Sequence, residues 1–541
     1  MNNLIKNTKK AVLTLAIALT TTASSFAQIY WTGTQTLQPG QVINDNIILT
    51  GNVTLELASG AATINGSISG GFSVTKNGSG SLVLTSPNNS YSGATTINGG
   101  YFRLSDGGNL TNTSGVIVAS GRLEFFDQSN QFTFTRVISG AGGILVSSNN
   151  KVTLTAVNTY TGGTSISIWT VLQVGNGTSG SISNTSGVYL SSDNACIRFE
   201  PGANMTFDKV ISGEGRLEYK GDDTKRLLLT AANPFLGTTT VETGRFEVHG
   251  SHVSKIILQG SSMVVFSHSS AYTYSGVISG SGTVHKIGAG TLTFNGVNTY
   301  TGGTVVWQGP LALGTYGTIE NSAHVNLSDA AAKLNISAGN KTIKGIQSDS
   351  NSEVVLGNSR LFLGNAGIND GGGTFAGRFT GTGSIDKRGN AMLTLSGAST
   401  YSGNTDIHAG SILFSNLNNF GTSSLHLYGG TIAWNAGNTA DISSRIASIN
   451  NGANVTFHTG ANNVTFATGL PTTTANITKD GAGKLTMTAA NNNSGTLTVA
   501  VGTLQIGNGT SGSINNIASI SVAQGAVIRF EPGDHLSLNK L

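Results

Sequence analysis

The residues best suited to chemistry lie in the segment 208–226, "DKVISGEGRLEYKGDDTKR", where Glu214 and Glu218 stand among lysines and arginines. Carboxylates beside a basic residue can do the acid and base work of a polysaccharide-cleaving enzyme, so this is the place where catalysis would be sought. The same charges also suit a solvated face, and the segment fills an ordinary slot of a repeat, so no catalytic residue is assigned. Four histidines, His249, His252, His268 and His285, are spaced so that some could align on successive coils of a repeat. Only Glu242 and Glu247 are near as further metal ligands, so surface or corner histidines are expected and no metal site is assigned. "DSNSEV" from Asp349 imitates the start of an oxygen-ligand calcium loop but puts Val354 where the turn needs glycine. Cys196 in "NACIRFE" has no histidine or aspartate at a nucleophile's spacing and reads as a small buried residue.

"VGNGTSGSI" at 174–182 and "IGNGTSGSI" at 506–514 each contain G-x-G-x-x-G. A dinucleotide loop must lie between a strand and a helix and be followed by an acid about 20 residues on. Strand-and-turn residues follow Gly180 instead. Glu200 recurs as Glu531 in "RFEPG", which marks a repeated structural position. No cofactor is expected.

Every one of these groups must be positioned by something, and composition limits the choice. The chain has 541 residues, 10% charged, with 75 glycines and 38% hydrophobic residues spread in short alternating runs. A folded, β-rich chain is implied. Lys6, Lys9 and Lys10, the apolar run "AVLTLAIAL" and then Ser25 and Ala27 form a signal peptide over 1–27, leaving 28–541 as one repeat domain. No later apolar stretch nears the ~20 residues of a helical membrane span. Loss of the three leader lysines lowers the formal charge from +4 to +1, which removes any electrostatic case for nucleic acid. One cysteine permits no internal disulfide, so packing and hydrogen bonds alone hold the fold.

One block recurs along the chain, clearest at 277–306 as "VISGSGTVHKIGAGTLTFNGVNTYTGGTVV", with copies beginning at 67, 137, 210, 378 and 474. Ile68, Ile138, Ile211 and Ile278 mark the early spacing of about 70 residues, and the stretch 314–378 reads as one or two further coils. Within blocks the beat is period 2: in "GTLTF", Leu292 and Phe294 alternate with Thr291 and Thr293, and Gly or Asn closes each short run. Short strands, tight corners and this period predict an all-β chain, a right-handed parallel β-helix with Gly and Asn corners. At roughly 22 residues per coil it would make about 23 coils on the order of 110 Å long. The ring at Tyr91, Tyr160, Tyr300 and Tyr401, with Phe235 in the same slot and Asn493 replacing it in the last copy, reads as an internal plug over a glycine corner.

The block resembles the autotransporter-associated β-strand repeat, or passenger-associated transport repeat, of secreted and surface proteins of Gram-negative bacteria. That resemblance implies a β-helical passenger exposed at or beyond the outer membrane, often an adhesin or other surface factor, with repeats that assist export, and it implies no catalytic mechanism. Partners would be glycans, host or sister-cell surface proteins and the outer-membrane export machinery. No terminal set of membrane-barrel strands is visible before "FEPGDHLSLNKL", so a truncated passenger is expected. The competing class is a polysaccharide-cleaving β-helix enzyme.

Overall fold

The computed structural model describes residues 28–531 and 533, apart from 129, 130, 150, 349, 350 and 515. The leader segment 1–27 and Asp349 lie outside the described residues. Among the described residues the only helical segments are two short 3-10 turns, Leu417–Phe420 and Ser443–Arg445. All strand pairs are parallel and join segments about one coil apart, in a β-solenoid of about 24 turns. Val284 pairs with Thr304, Thr304 with Val325, and Val325 with Ile346, so each coil here takes about 20 residues. At about 4.8 Å per coil the stack is on the order of 115 Å long.

Strand alternation sorts the side chains as the period-2 pattern requires. In Thr283–Ile287, Val284 and Lys286 point inward while His285 points out. Leu292, Leu311, Leu334, Val354 and Phe379 form one inner ladder, each fully buried. Each such side chain stabilises the stack by roughly 2 kcal/mol, and the contribution is local because a coil touches only its neighbours.

The strand pairings resolve into three faces, each carrying successive sheets. Ile138–Ser139 closes a sheet on the first face, Ile211–Gly213 on the second and Ile278–Gly280 on the third. A block therefore advances about three and one-third coils and turns its features to the next face. Equivalent residues of successive blocks point in different directions, so they do not build one long face of identical ladders. Nor is the later extra length a whole number of coils. Phe379, the counterpart of Ile278, closes the sheet on the second face, four and two-thirds coils further on.

The end of each such sheet is sealed by side chains. The N–H of Ile278 donates to Asn298 Oδ1 at 2.9 Å, and the carbonyl of Ile278 accepts from the N–H of Thr299 at 2.8 Å. Asn298 is buried, and its amide donates to the carbonyls of Gly296 and Thr318. It thus supplies the strand partner that the next coil lacks. Asn89, Asn158 and Asn233 do the same for Ile68, Ile138 and Ile211, and Ser399 Oγ serves Phe379.

Candidate functional site

The recurring ring is interior in all five blocks that carry it: Tyr91, Tyr160, Phe235, Tyr300 and Tyr401 are at most 1% exposed. Each tyrosine hydroxyl meets the threonine four residues on, as Tyr300 meets Thr304 at 2.5 Å. Phe235 has no hydroxyl, and His252 replaces it: Nε2 lies 3.0 Å from Thr239 Oγ1 and 2.8 Å from Ser254 Oγ. His252 therefore corrects the surface expectation. It is 1% exposed, edge-on to Phe235 and Phe246, and burial pulls its pKa to about 3, so it stays neutral. His252→Leu should cost about 1 kcal/mol by removing the ring nitrogen shared by two buried hydroxyls, which keep each other as partners at 2.7 Å. Hydrogen exchange slowed equally in the variant and the parent around 239–254 would contradict this.

Sequence reading missed a second interior group. In the slot of the block's "TVHKIG", an apolar-phase strand position is lysine in four copies: Lys76, Lys286, Lys387 and Lys479, none more than 1% exposed. Each Nζ donates to backbone carbonyls at a corner. Lys479 reaches Asp480, Gly481 and Val501 at 3.0, 2.7 and 3.1 Å, and Lys76 reaches Asn77, Gly78 and Gly99 at 3.3, 2.9 and 2.8 Å. A three-donor ammonium thus ties the corner of one coil to the corner of the next. The available signal was a lysine recurring on the inward beat of a strand.

Burial pulls these four amines down to about 8. Their folded pKa lies below the unfolded value, so between pH 8 and about 10 the unfolded chain binds more protons and folding strengthens as pH rises. Burial raises the pKa of Tyr91, Tyr160, Tyr300 and Tyr401, so stability falls again above about pH 10, where unfolded tyrosines ionise. Denaturant midpoints should peak at about pH 9.5, and replacing all four lysines by methionine should flatten the rise. A midpoint that falls from pH 7.5 to 9.5 would contradict the assignment.

The outward charges are likewise committed. Glu218 accepts from Arg198 at 2.9 Å and lies 3.3 Å from Arg216, while Arg198 also clasps Glu242 with two bonds of 2.7 and 2.9 Å. Glu214 is exposed and joins none of the ion pairs among the described residues, whereas Glu218 is held by Arg198 and Arg216. A tighter acidic pair, invisible in sequence, stacks on neighbouring coils: Asp386 and Asp406, 1% and 4% exposed. Arg360 bonds both, and Arg388 holds Asp386 through two 3.0 Å bonds. Both carboxylates are thus committed to ion pairs with guanidinium groups.

The remaining motifs resolve as corners. In "GNGTSG", Asn176 Oδ1 accepts from the N–H groups of Thr178 and Ser179, and the N–H of Gly177 donates to Glu200. The groups that would cradle a phosphate are already bonded, and Asn508 with Glu531 repeats the arrangement. Gly175, Gly177 and Gly180 have φ of 90°, 86° and 114°, the geometric reason for glycine there. His249 bonds Glu247 at 2.7 Å, His268 stacks on Tyr272 at 4.1 Å, and His285 accepts from Trp307 at 3.2 Å, so the histidines do not converge. Among the described residues no three His, Cys, Asp or Glu are placed to hold a metal ion. Cys196 is buried, its thiol pushed up to about 12 chiefly by desolvation, which makes it inert.

The model of the passenger-associated-transport-repeat matches residues 74–104, 149–167, 222–248, 284–313, 385–413 and 477–506. The chain carries the passenger-associated-transport repeat in these six stretches. The four fullest stretches are those containing the buried lysine, so the family pattern coincides with the capped corner and plug described above. The chain is also 30% identical over 315 residues to the adhesin BmaC autotransporter of Brucella suis biovar 1 (strain 1330), a match covering 56% of this chain and 8% of that relative. The chain thus matches only a small part of that relative's length. No solved structure matches.

Proposed function

We propose that this chain is an exported, non-catalytic, adhesin-like passenger displayed at the surface of a Gram-negative cell, with residues 1–27 as its export signal and 28–541 as its solenoid. The carrying observation is that its reactive groups are occupied in building the coil stack. Glu218, Asp386 and Asp406 are ion-paired, the four lysines cap carbonyls, and Cys196 and His252 are interior. Likeness to part of an autotransporter adhesin supports an adhesive role. Outer-membrane export machinery is the partner that such a passenger requires, and glycans or proteins of host or sister cells are its targets. No helix among the described residues is long and apolar enough to cross a membrane.

Beads coated with the purified chain should adhere to host epithelial or sister bacterial cells several-fold better than beads coated with an unrelated β-protein, while a panel of polysaccharides stays uncleaved. Cleavage abolished by Glu214→Gln with Glu218→Gln would establish the enzyme instead. Adhesion no better than the control would refute the adhesive reading.

A further inference from the structure

A corner of the solenoid opens into a cleft of about 550 Å³ beside the third face. It is built at three successive corners in register: the N–H of His408 donates to Lys387, that of Tyr428 to Ile407, and that of Asn450 to Leu427. His408 and Tyr428 stack with ring centroids 4.4 Å apart and planes within 2° of parallel. Tyr428 is 42% exposed, so the stack presents aromatic surface to solvent. Gly429 and Gly430 lie beneath, leaving the floor without side chains, and exposed Asn451 and Asn454 supply amides at the rim. The cleft coincides with a break in regularity, since the strand pairing shifts between Leu425 and His426.

The stack is also oriented in advance. His408 Nε2 lies 3.4 Å from Asp386 Oδ1, and Asp386 is itself fixed by Arg360 and Arg388. A ring held by a buried carboxylate, with a second ring stacked on it, loses little freedom when a ligand arrives. No lysine or arginine lines the cleft, which argues against an anion. Its apolar contribution is two polar-edged rings and two alanines, too little for an acyl chain. A flat aromatic face flanked by amides fits a ligand with one C–H face and an equatorial belt of hydroxyls.

We propose that the cleft over the His408–Tyr428 stack binds one or two pyranose units of a neutral glycan. The inference deepens the adhesive reading by naming its ligand class and rests on it. Trp307 occupies the corner equivalent to His408 in another block but tilts at 38° to its partner His285, at a ring separation of 6.5 Å, so it offers no matching platform.

The test titrates the full chain by saturation-transfer NMR and calorimetry with glucose, galactose, mannose, fucose, N-acetylglucosamine and their short neutral oligomers. At least one should bind, with affinity reduced tenfold or more by Tyr428→Ala and retained by Tyr428→Phe and by Tyr316→Ala, a distant exposed tyrosine. Circular dichroism should show each variant folded. No binding by any sugar, or binding indifferent to Tyr428→Ala in a folded variant, overturns the proposal. Cell adhesion is measured in parallel. Adhesion unaffected by a Tyr428→Ala change that abolishes sugar binding keeps the cleft as a glycan site but makes another surface the adhesive one. Adhesion that survives with no sugar bound sinks the cleft and leaves the adhesive reading standing.

Discussion

Tyr300→Ala should lower the stability of its coil and the two that contact it by about 3 kcal/mol, with little effect a few coils away. The ring is 1% exposed, so truncation removes its buried area and leaves a cavity that glycine corners cannot collapse to fill. It also deprives Thr304 Oγ1 of its 2.5 Å partner, although Ser322 at 2.9 Å remains to that hydroxyl. Because solenoid energetics are a sum over neighbours, global unfolding dilutes the effect. Limited proteolysis and site-resolved hydrogen exchange are the proper readouts, and cleavage should appear within 278–327. A variant as resistant there as the parent would show that the ring is not what seals the corner.

Gly302→Ala should be about as damaging, for a different reason. A Cβ on Gly302 would stand 2.1 Å from the carbonyl oxygen of Gly282 in the coil below, which is backbone and cannot rotate aside. The two coils would have to part, weakening the pairing of Val284 with Thr304, at a cost of about 3 kcal/mol. The same contact recurs where Gly162 sits over Gly142 and Gly403 over Gly383, which explains the glycines of "ISGSG" and "YTGGT" as partners across coils. Gly260→Ala serves as the comparison: its Cβ meets nothing within 4 Å, so it should lose only the smaller amount due to its φ of 52°. Equal losses at 260 and 302 would discredit the close-approach explanation.

Much of this architecture was legible because strand alternation and corner chemistry are local. The inward beat of Leu292 and Phe294 and the plug at Tyr300 each follow from residue type and immediate spacing. The turning of blocks from face to face was hidden, because the block spacing yields three and one-third coils only once the coil length is known. The lysine caps escaped notice because a charged residue on an inward beat contradicts the usual sorting, and only the carbonyls around each Nζ make it tolerable. His252 was misplaced because its reason for burial, the hydroxyl missing from Phe235, is a contact between neighbouring coils rather than between neighbours in sequence. The Asp386 and Asp406 clamp and the His408–Tyr428 cleft likewise depend on residues of adjacent coils meeting, which no motif records.

Placing coils one upon another in parallel register is the claim beneath every site described, and an interspin distance tests it most directly. Thr75 and His285 are outward-facing residues on the same face, ten coils apart through successive pairings. Spin labels on cysteines introduced at these two positions, with Cys196 replaced by serine, should give a single narrow distribution centred at about 48 Å by double electron–electron resonance, ten times the spacing of stacked strands. A broad distribution, or one centred below about 35 Å, would mean that the blocks fold as separate units and would contradict the account.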